Sequence, residues 1–238
     1  MTVICCSSYE EMSRKAADIL GAQILQKPDC LLGLATGTTP IGLYDELARR
    51  NQAGELDFSK VRTFNLDEYR GLAGDHPQSY RYFMNKHLFD RINIDKANTH
   101  VPDGLAADPD QSGQAYDEAI AQLGGIDLQL LGVGNNGHIG FNEPDRHFTA
   151  ATHRVVLTES TIQANSRLFE RIEDVPKEAV TMGMRCILQA KKILLIANGE
   201  AKRDILRAAL YGDITPQVPA SLLQLHPDVT VITDFALN

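Results

Sequence analysis

The segment Ile126–Val133, IDLQLLGV, is apolar almost without a break. A run this short and this uniform reads as a strand covered on both faces, the condition of a parallel sheet between helical layers. Comparable runs recur at Val3–Cys6, Leu31–Ala35 and Ile193–Ala197; Val61–Leu66 and Val229–Thr233 read as strands too, with further candidates at His153–Leu157 and Ala179–Met182. Helical patterns lie between them. Ser8 and Glu11 form an S-x-x-E capping box, and Met12, Ala16, Ile19, Leu20 and Ile24 follow at helical spacing. Thr39 can cap, and Pro40 can open, a helix running through Leu47. Residues 78–90 and 110–123 also read as helical, and another helix starts near Glu200. The alternation predicts an α/β fold: a mostly parallel sheet flanked by helices on both faces, in a single domain over residues 1–238. No repeat, low-complexity tract or linker interrupts it, and residues 99–110 are the most loop-like stretch.

Several function classes are disfavoured at the outset. The net charge is −8, no Lys/Arg run exceeds two residues, and there is no Trp, so neither a basic footprint nor a base-stacking platform for nucleic acid is present. An acidic chain that binds an anion must supply its positive charge locally. The four cysteines, Cys5, Cys6, Cys30 and Cys186, form no C-x-x-C pair and no zinc-spaced cluster with His, and read as reduced, packed thiols. The start MTVICCSSYEE lacks the pattern of a secretory signal, and no apolar stretch approaches membrane-spanning length. These features predict a cytoplasmic protein without membrane partners. Self-association is compatible with the sequence.

In open parallel sheets, ligands bind beyond the carboxyl ends of the strands. Three segments rich in glycine, hydroxyls or acids follow strands here, ATGTTP, NLDEY and GVGNNGHIGFNEP, and are expected to converge on one crevice. In the first, Thr36, Gly37, Thr38 and Thr39 precede a helix, whose free N–H groups and dipole favour an anion; an ordinary strand-to-helix turn is the plainer alternative. In the third, Gly132, Gly134 and Gly137 match G-x-G-x-x-G, but Pro144 and the absence of a helical period argue against a dinucleotide. The same segment carries Asn136, His138 and Glu143. A loop histidine with a polar partner can serve as acid and base, or simply cap backbone groups. In the second, Asp67 and Glu68 lie among Phe64, Leu66 and Tyr69. Apolar neighbours raise the proton affinity of a carboxylate, which suits a base that removes a proton from carbon, although an Asp that starts a turn looks the same. Arg167 and Lys202 are isolated cations near loops, and either could grip a phosphate or sit in solvent.

LGLATGTTPIGLYDEL, FNLDEYRGL, HPQSYRYFMNKHLFD, LLGVGNNGHIGFNEP, ANSRLF and ASLLQLHP, in this order over roughly residues 30 to 228, resemble the glucosamine-6-phosphate deaminase family. LLGVGNNGHIGFNEP is the most specific of them. The resemblance implies a modified Rossmann-like fold, a phosphorylated amino sugar as substrate, and neither cofactor nor metal. It implies that Asp67 shuttles a proton between C2 and C1, that His138 opens the pyranose ring, and that Glu143 assists the histidine. It also assigns the phosphate to Thr36, Gly37, Thr38, Thr39, Arg167 and Lys202. Many members carry Asp where this chain has Asn136, whose oxygen is expected to orient the His138 ring. Chain length and the TAATHRVVL stretch resemble the short members, which implies no activation by an acetylated amino-sugar phosphate. Two rivals follow from the same motifs. A 6-phosphogluconolactonase is disfavoured by IGFNEP after the Gly-His pair. A sugar-phosphate sensor domain is disfavoured by the start of the first strand at Val3 and by the presence of both Asp67 and His138.

Overall fold

The computed structural model describes residues 1–166 and 169–237. Seven strands form one sheet: β1 (Thr2–Cys5), β2 (Leu31–Leu34), β3 (Arg62–Asn65), β5 (Thr99–His100), β6 (Leu128–Leu131), β9 (Ile193–Ala197) and β10 (Val229–Thr233). Their order is β1-β10-β9-β6-β2-β3-β5, and every neighbouring pair is parallel. The central strands β2, β6 and β9 are buried at every position, the environment that their mainly apolar sequences demand, with Gln129 of β6 the one polar side chain among them. Leu130, Leu131, Leu194 and Leu195 are fully buried, each contributing about 1.5–3 kcal/mol by leaving water.

Helices complete the layers: α1 (Tyr9–Gln26), α2 (Ile41–Gln52), α3 (Tyr80–His87), α4 (Pro109–Gln122), α5 (Glu159–Asn165), α6 (Met184–Gln189) and α7 (Arg203–Tyr211). In α1 the Ser8 hydroxyl accepts the Glu11 N–H at 3.2 Å, as the capping pattern predicts, and Met12, Ala16, Leu20 and Ile24 are buried with Ile19 half-buried. The reciprocal bond differs from a standard capping box: the Glu11 carboxylate takes the N–H and hydroxyl of Ser7, not the N–H of Ser8. At α2 the expected Thr39 cap is absent. Pro40 occupies the cap position with no side-chain bond there, because the Thr39 hydroxyl donates instead to Asn198 Oδ1 at 2.6 Å.

The principal departure from the sequence reading is a second sheet. His153–Leu157 and Ala179–Met182 do not extend the parallel sheet. As β7 (His153–Val156) and β8 (Glu178–Thr181) they join β4 (Asp67–Tyr69) in an antiparallel sheet of order β4-β8-β7. NLDEY is therefore a strand in part, not a loop. The chain leaves β3 at Asn65, passes Leu66, and enters the small sheet at Asp67. Leu66 bridges the two: its N–H donates to Leu34 O at 3.0 Å and its carbonyl accepts from Met182 N at 2.6 Å.

The order of the large sheet fixes where a ligand can sit. From β2 the chain steps outward to β3 and β5, then returns to the other side of β2 as β6 and proceeds to β9 and β10. The connections after β2 and β6 diverge, and adjacent diverging connections open a crevice at the carboxyl edge. TGTTP follows β2 and GVGNNGH follows β6.

Candidate active site

The glycine of the β2 loop answers to conformation. Gly37 has φ +108°, a left-handed conformation that a side chain would resist, and a Cβ there would touch nothing. The loop is pinned from two sides. Thr39 bonds Asn198 beyond β9, and the Tyr9 hydroxyl of α1 donates toward Thr39 O at 3.1 Å while accepting the Gly42 N–H at 2.8 Å. Lys202, in the turn between β9 and α7, donates from Nζ to Val133 O at 2.8 Å, at the end of β6. Burial pulls its proton affinity down, and no carboxylate pairs with it among the described residues. Lys202, Thr39 and the Gly132–Gly134 turn thus meet over the crevice. Arg167 lies outside the described residues.

The loop after β6 is built around His138. Gly134 N–H donates to His138 O at 2.9 Å, and Gly137 N–H to Gly134 O at 3.1 Å. The imidazole lies flat against Gly134: a Cβ placed there would fall 2.3–2.4 Å from three ring atoms. His138 Nδ1 stands 3.4 Å from Glu143 Oε2, a Coulombic approach longer than a well-formed hydrogen bond. Burial alone would raise the Glu143 proton affinity. The opposing contacts of His138, Thr161 and Asn136 prevail and bring its pKa down to about 2. Asn136 Nδ2 donates to Glu143 Oε2 at 2.7 Å, and the Thr161 hydroxyl of α5 donates to Oε1. Asn136 does not orient the ring directly, as the sequence reading expected. Its oxygen accepts the His138 backbone N–H at 3.2 Å, so it fixes the loop and the Glu143 carboxylate while the ring is held through Glu143 and Gly134.

Asp67 is 6% exposed, and its carboxylate accepts no hydrogen bond among the described residues. Burial first, and the neighbouring Glu68 charge second, push its pKa up to about 8. The small sheet delivers it to the histidine loop. Thr181 pairs with Asp67 in register, and the Thr181 hydroxyl accepts the Phe141 N–H at 2.9 Å. Asn142 Nδ2 closes the turn onto Ile139 O and Met182 O, each at 2.9 Å. As a result Asp67 Oδ2 lies 3.4 Å from where a Gly140 Cβ would be, two residues past His138. Tyr69, Tyr80 and Phe141 floor this corner, with ring centroids 4.8 Å apart for Tyr69–Tyr80 and 5.9 Å for Tyr80–Phe141. Tyr80 also neighbours Thr36 and Asp67, and so links the β2 loop to the buried carboxyl.

The structure therefore brings together Thr36–Thr39, Asp67, Asn136, His138, Glu143 and Lys202. Sequence reasoning missed Thr161, Thr181, Asn198 and Tyr80. Thr158, the cap of α5 that accepts the Thr161 N–H, was the available signal for the first; the others depend on contacts far apart in the chain. Among the described residues no group of three His, Cys, Asp or Glu side chains is arranged to hold a metal, and no helix is long and apolar enough to cross a membrane. The arrangement can hold a small anion near the β2, β6 and β9 ends while a raised-pKa carboxyl and an imidazole exchange protons with it.

Comparison with known proteins bears on the family and the fold. Residues 7–232 match the family model described as glucosamine-6-phosphate isomerases/6-phosphogluconolactonase. The chain is 59% identical over 235 residues to a glucosamine-6-phosphate deaminase of Lachnoclostridium phytofermentans, covering 99% of this chain and 100% of that one. Its fold superposes with a TM-score of 0.95 on a monomeric glucosamine-6-phosphate deaminase, at 47% identity and with 98% and 97% of the two chains covered. A 6-phosphogluconolactonase from Shewanella baltica shares the fold at TM-score 0.77 but only 19% identity, covering 98% of this chain and 97% of that one. With a parallel sheet, a crevice at its switch point and near-full-length similarity in hand, the chain belongs to the glucosamine-6-phosphate isomerase/6-phosphogluconolactonase family.

Proposed function

We propose that this site converts glucosamine 6-phosphate and water into fructose 6-phosphate and ammonia. The observation that carries the reading is the buried, unbonded Asp67 carboxyl beside the His138 loop, one strand from the Thr36–Thr39 turn. Thr36, Gly37, Thr38, Thr39 and Lys202 hold the phosphate, joined by Arg167, and fix the sugar's far end. His138, steadied by Glu143 and Asn136, moves a proton between O1 and the ring oxygen and so opens the pyranose. Asp67 takes the C2 proton and returns it at C1 through an enolamine. The ketimine left at C2 is hydrolysed, releasing the nitrogen as ammonia and the sugar as the ketose. Each proton transfer of this kind contributes about 10²–10⁴-fold. No step calls for a cofactor. The reaction suits a cytoplasmic enzyme of amino-sugar breakdown, acting as one domain over residues 1–238.

The test is direct. Purified protein is incubated with glucosamine 6-phosphate, and ammonia and fructose 6-phosphate are measured; equal amounts of both are expected. Hydrolysis of 6-phosphogluconolactone without ammonia release from the amino sugar would replace the proposal with its nearest rival. Binding of the amino sugar without turnover would favour the sensor reading.

A further inference from the structure

The residue next to Asp67 is as little exposed as Asp67 itself. Glu68 is 3% exposed, and its carboxylate accepts three backbone N–H groups: Tyr69 and Tyr80 on Oε1, both at 2.8 Å, and Arg81 on Oε2 at 2.9 Å. Two of these belong to the first turn of α3, whose unbonded N–H groups it satisfies. Ser79 takes the next two, Tyr82 on its hydroxyl and Phe83 on its carbonyl, so the helix start is fully accounted for. Gly104 closes the back of this arrangement. A Cβ there would fall 2.2 Å from Tyr69 O and 3.2 Å from Glu68 Cγ, so the backbone packs directly on the carboxylate arm. No lysine or arginine pairs with Glu68 at ion-pair distance among the described residues.

We propose that Glu68 is a positioning residue for the proton-transfer step: it clamps the start of α3, and with it Tyr80, against Asp67, and holds an unneutralised carboxylate beside that base. The inference rests on the function proposed above. Two adjacent buried carboxyls cannot both ionise cheaply. Burial raises the proton affinity of each, but Glu68 is relieved by three N–H donors and Asp67 by none, so Glu68 ionises first and its charge keeps the proton on Asp67. The other titratable groups facing this pair are Tyr69 on β4, Tyr80 on α3 and Tyr116 on α4, with Arg81 acting on Glu68; burial pushes all three phenols up, and they stay neutral near pH 8. The loop of His138 and Glu143 closes the remaining side, and β8 presents the uncharged Thr181. A base whose proton affinity is matched to neutral pH can both take a proton from carbon and give it back.

The experiment follows carboxyl carbons by NMR in the unliganded protein, labelled at Asp and Glu, alongside pH profiles of ammonia release. In Glu68→Gln the Asp67 midpoint is expected to fall by about one unit or more, and the acid limb of kcat/KM to fall with it. In Glu68→Asp, which keeps the charge but not the reach, the midpoint should stay high while kcat drops by about 10²-fold. A Gln variant with lowered stability and rate at every pH, but with both midpoints unmoved, would overturn the proposal by reducing Glu68 to scaffolding. So would an Asp variant with full turnover. If the Gln variant does not fold, the wild-type titration decides: Asp67 must still carry its proton when Glu68 is ionised, and the opposite order refutes the idea. Absence of ammonia from the wild type would refute the proposed function instead, and the NMR midpoints would still test the clamp.

Discussion

The contact between His138 and Gly134 offers a sharp test of how the imidazole is placed. Gly134 has no positive φ, so its backbone admits alanine without strain. What excludes a side chain is the ring, whose atoms would lie 2.3–2.4 Å from the new Cβ, where about 3.4 Å is needed. In Gly134→Ala the ring or the loop must therefore give way by about 1 Å. Overpacking of this kind costs about 1–3 kcal/mol, and a displacement of that size at a reacting group costs about 10²-fold in rate. The assay is kcat for ammonia release, with thermal unfolding measured in parallel. The expected result is a 10²-fold lower kcat, little change in phosphate-dependent binding and a modest fall in Tm. A control isolates the cause: in a His138→Ala background the same Gly134→Ala change should cost almost no stability, because the colliding ring is gone. Wild-type kcat in Gly134→Ala, or an equal loss of stability with and without the ring, would refute the placement.

Three further outcomes are expected. Asp67 is protonated in the folded protein between its ordinary value of 3.8 and about 8, so the folded state binds the extra proton there and stability falls as pH rises through that window; Asp67→Asn should abolish turnover yet raise Tm, by a few kcal/mol in stability and more at pH 9 than at pH 5. Glu143 runs the other way. Its depressed value gives stability that is present above 4.5 and lost as pH falls toward about 2, so Glu143→Gln should lower Tm at neutral pH and flatten the acid side of the stability profile between those limits. Of the four cysteines only Cys5 is exposed, and burial pushes Cys30 and Cys186 up to about 12, so a thiol reagent at pH 7.5 should titrate one thiol in the native protein and four after denaturation.

How much of this was legible in the sequence differs by element. Ile193–Ala197 and Val229–Thr233 have the strand bounds read from the sequence; the first is apolar and buried throughout, and the second is buried at every position but Thr230. The convergence of ATGTTP, NLDEY and GVGNNGH followed from one rule about parallel sheets. The antiparallel sheet was not legible. In β7 the burial alternates and in β8 it does not, and nothing in HRVV or EAVT says which sheet each will join. The link appears only in three dimensions, at Leu66, whose N–H and carbonyl bond to Leu34 and Met182 and so join the two sheets. The Thr39 cap and the Asn136 contact failed for a common reason. Short polar side chains have several partners within reach: the Thr39 hydroxyl went to distant Asn198, while the Asn136 oxygen took the His138 backbone N–H and its amide nitrogen the Glu143 carboxylate. The raised proton affinity of Asp67 was foreseeable from its apolar flanks; the clamp by Glu68 was not, because it needs the start of α3, twelve residues on.

The passage of the chain from one sheet to the other at Leu66 bears on how a scaffold of this kind is tuned. The anchoring turn hangs from a broad seven-stranded frame, whereas the proton-transfer carboxyl rides on a three-stranded raft moored to it through Leu66–Met182 and Phe141–Thr181. The span from anchor to base is thus a property of the mooring and not of either sheet. A relative that kept the frame and shifted the raft slightly would grip the same phosphate and reach a different carbon.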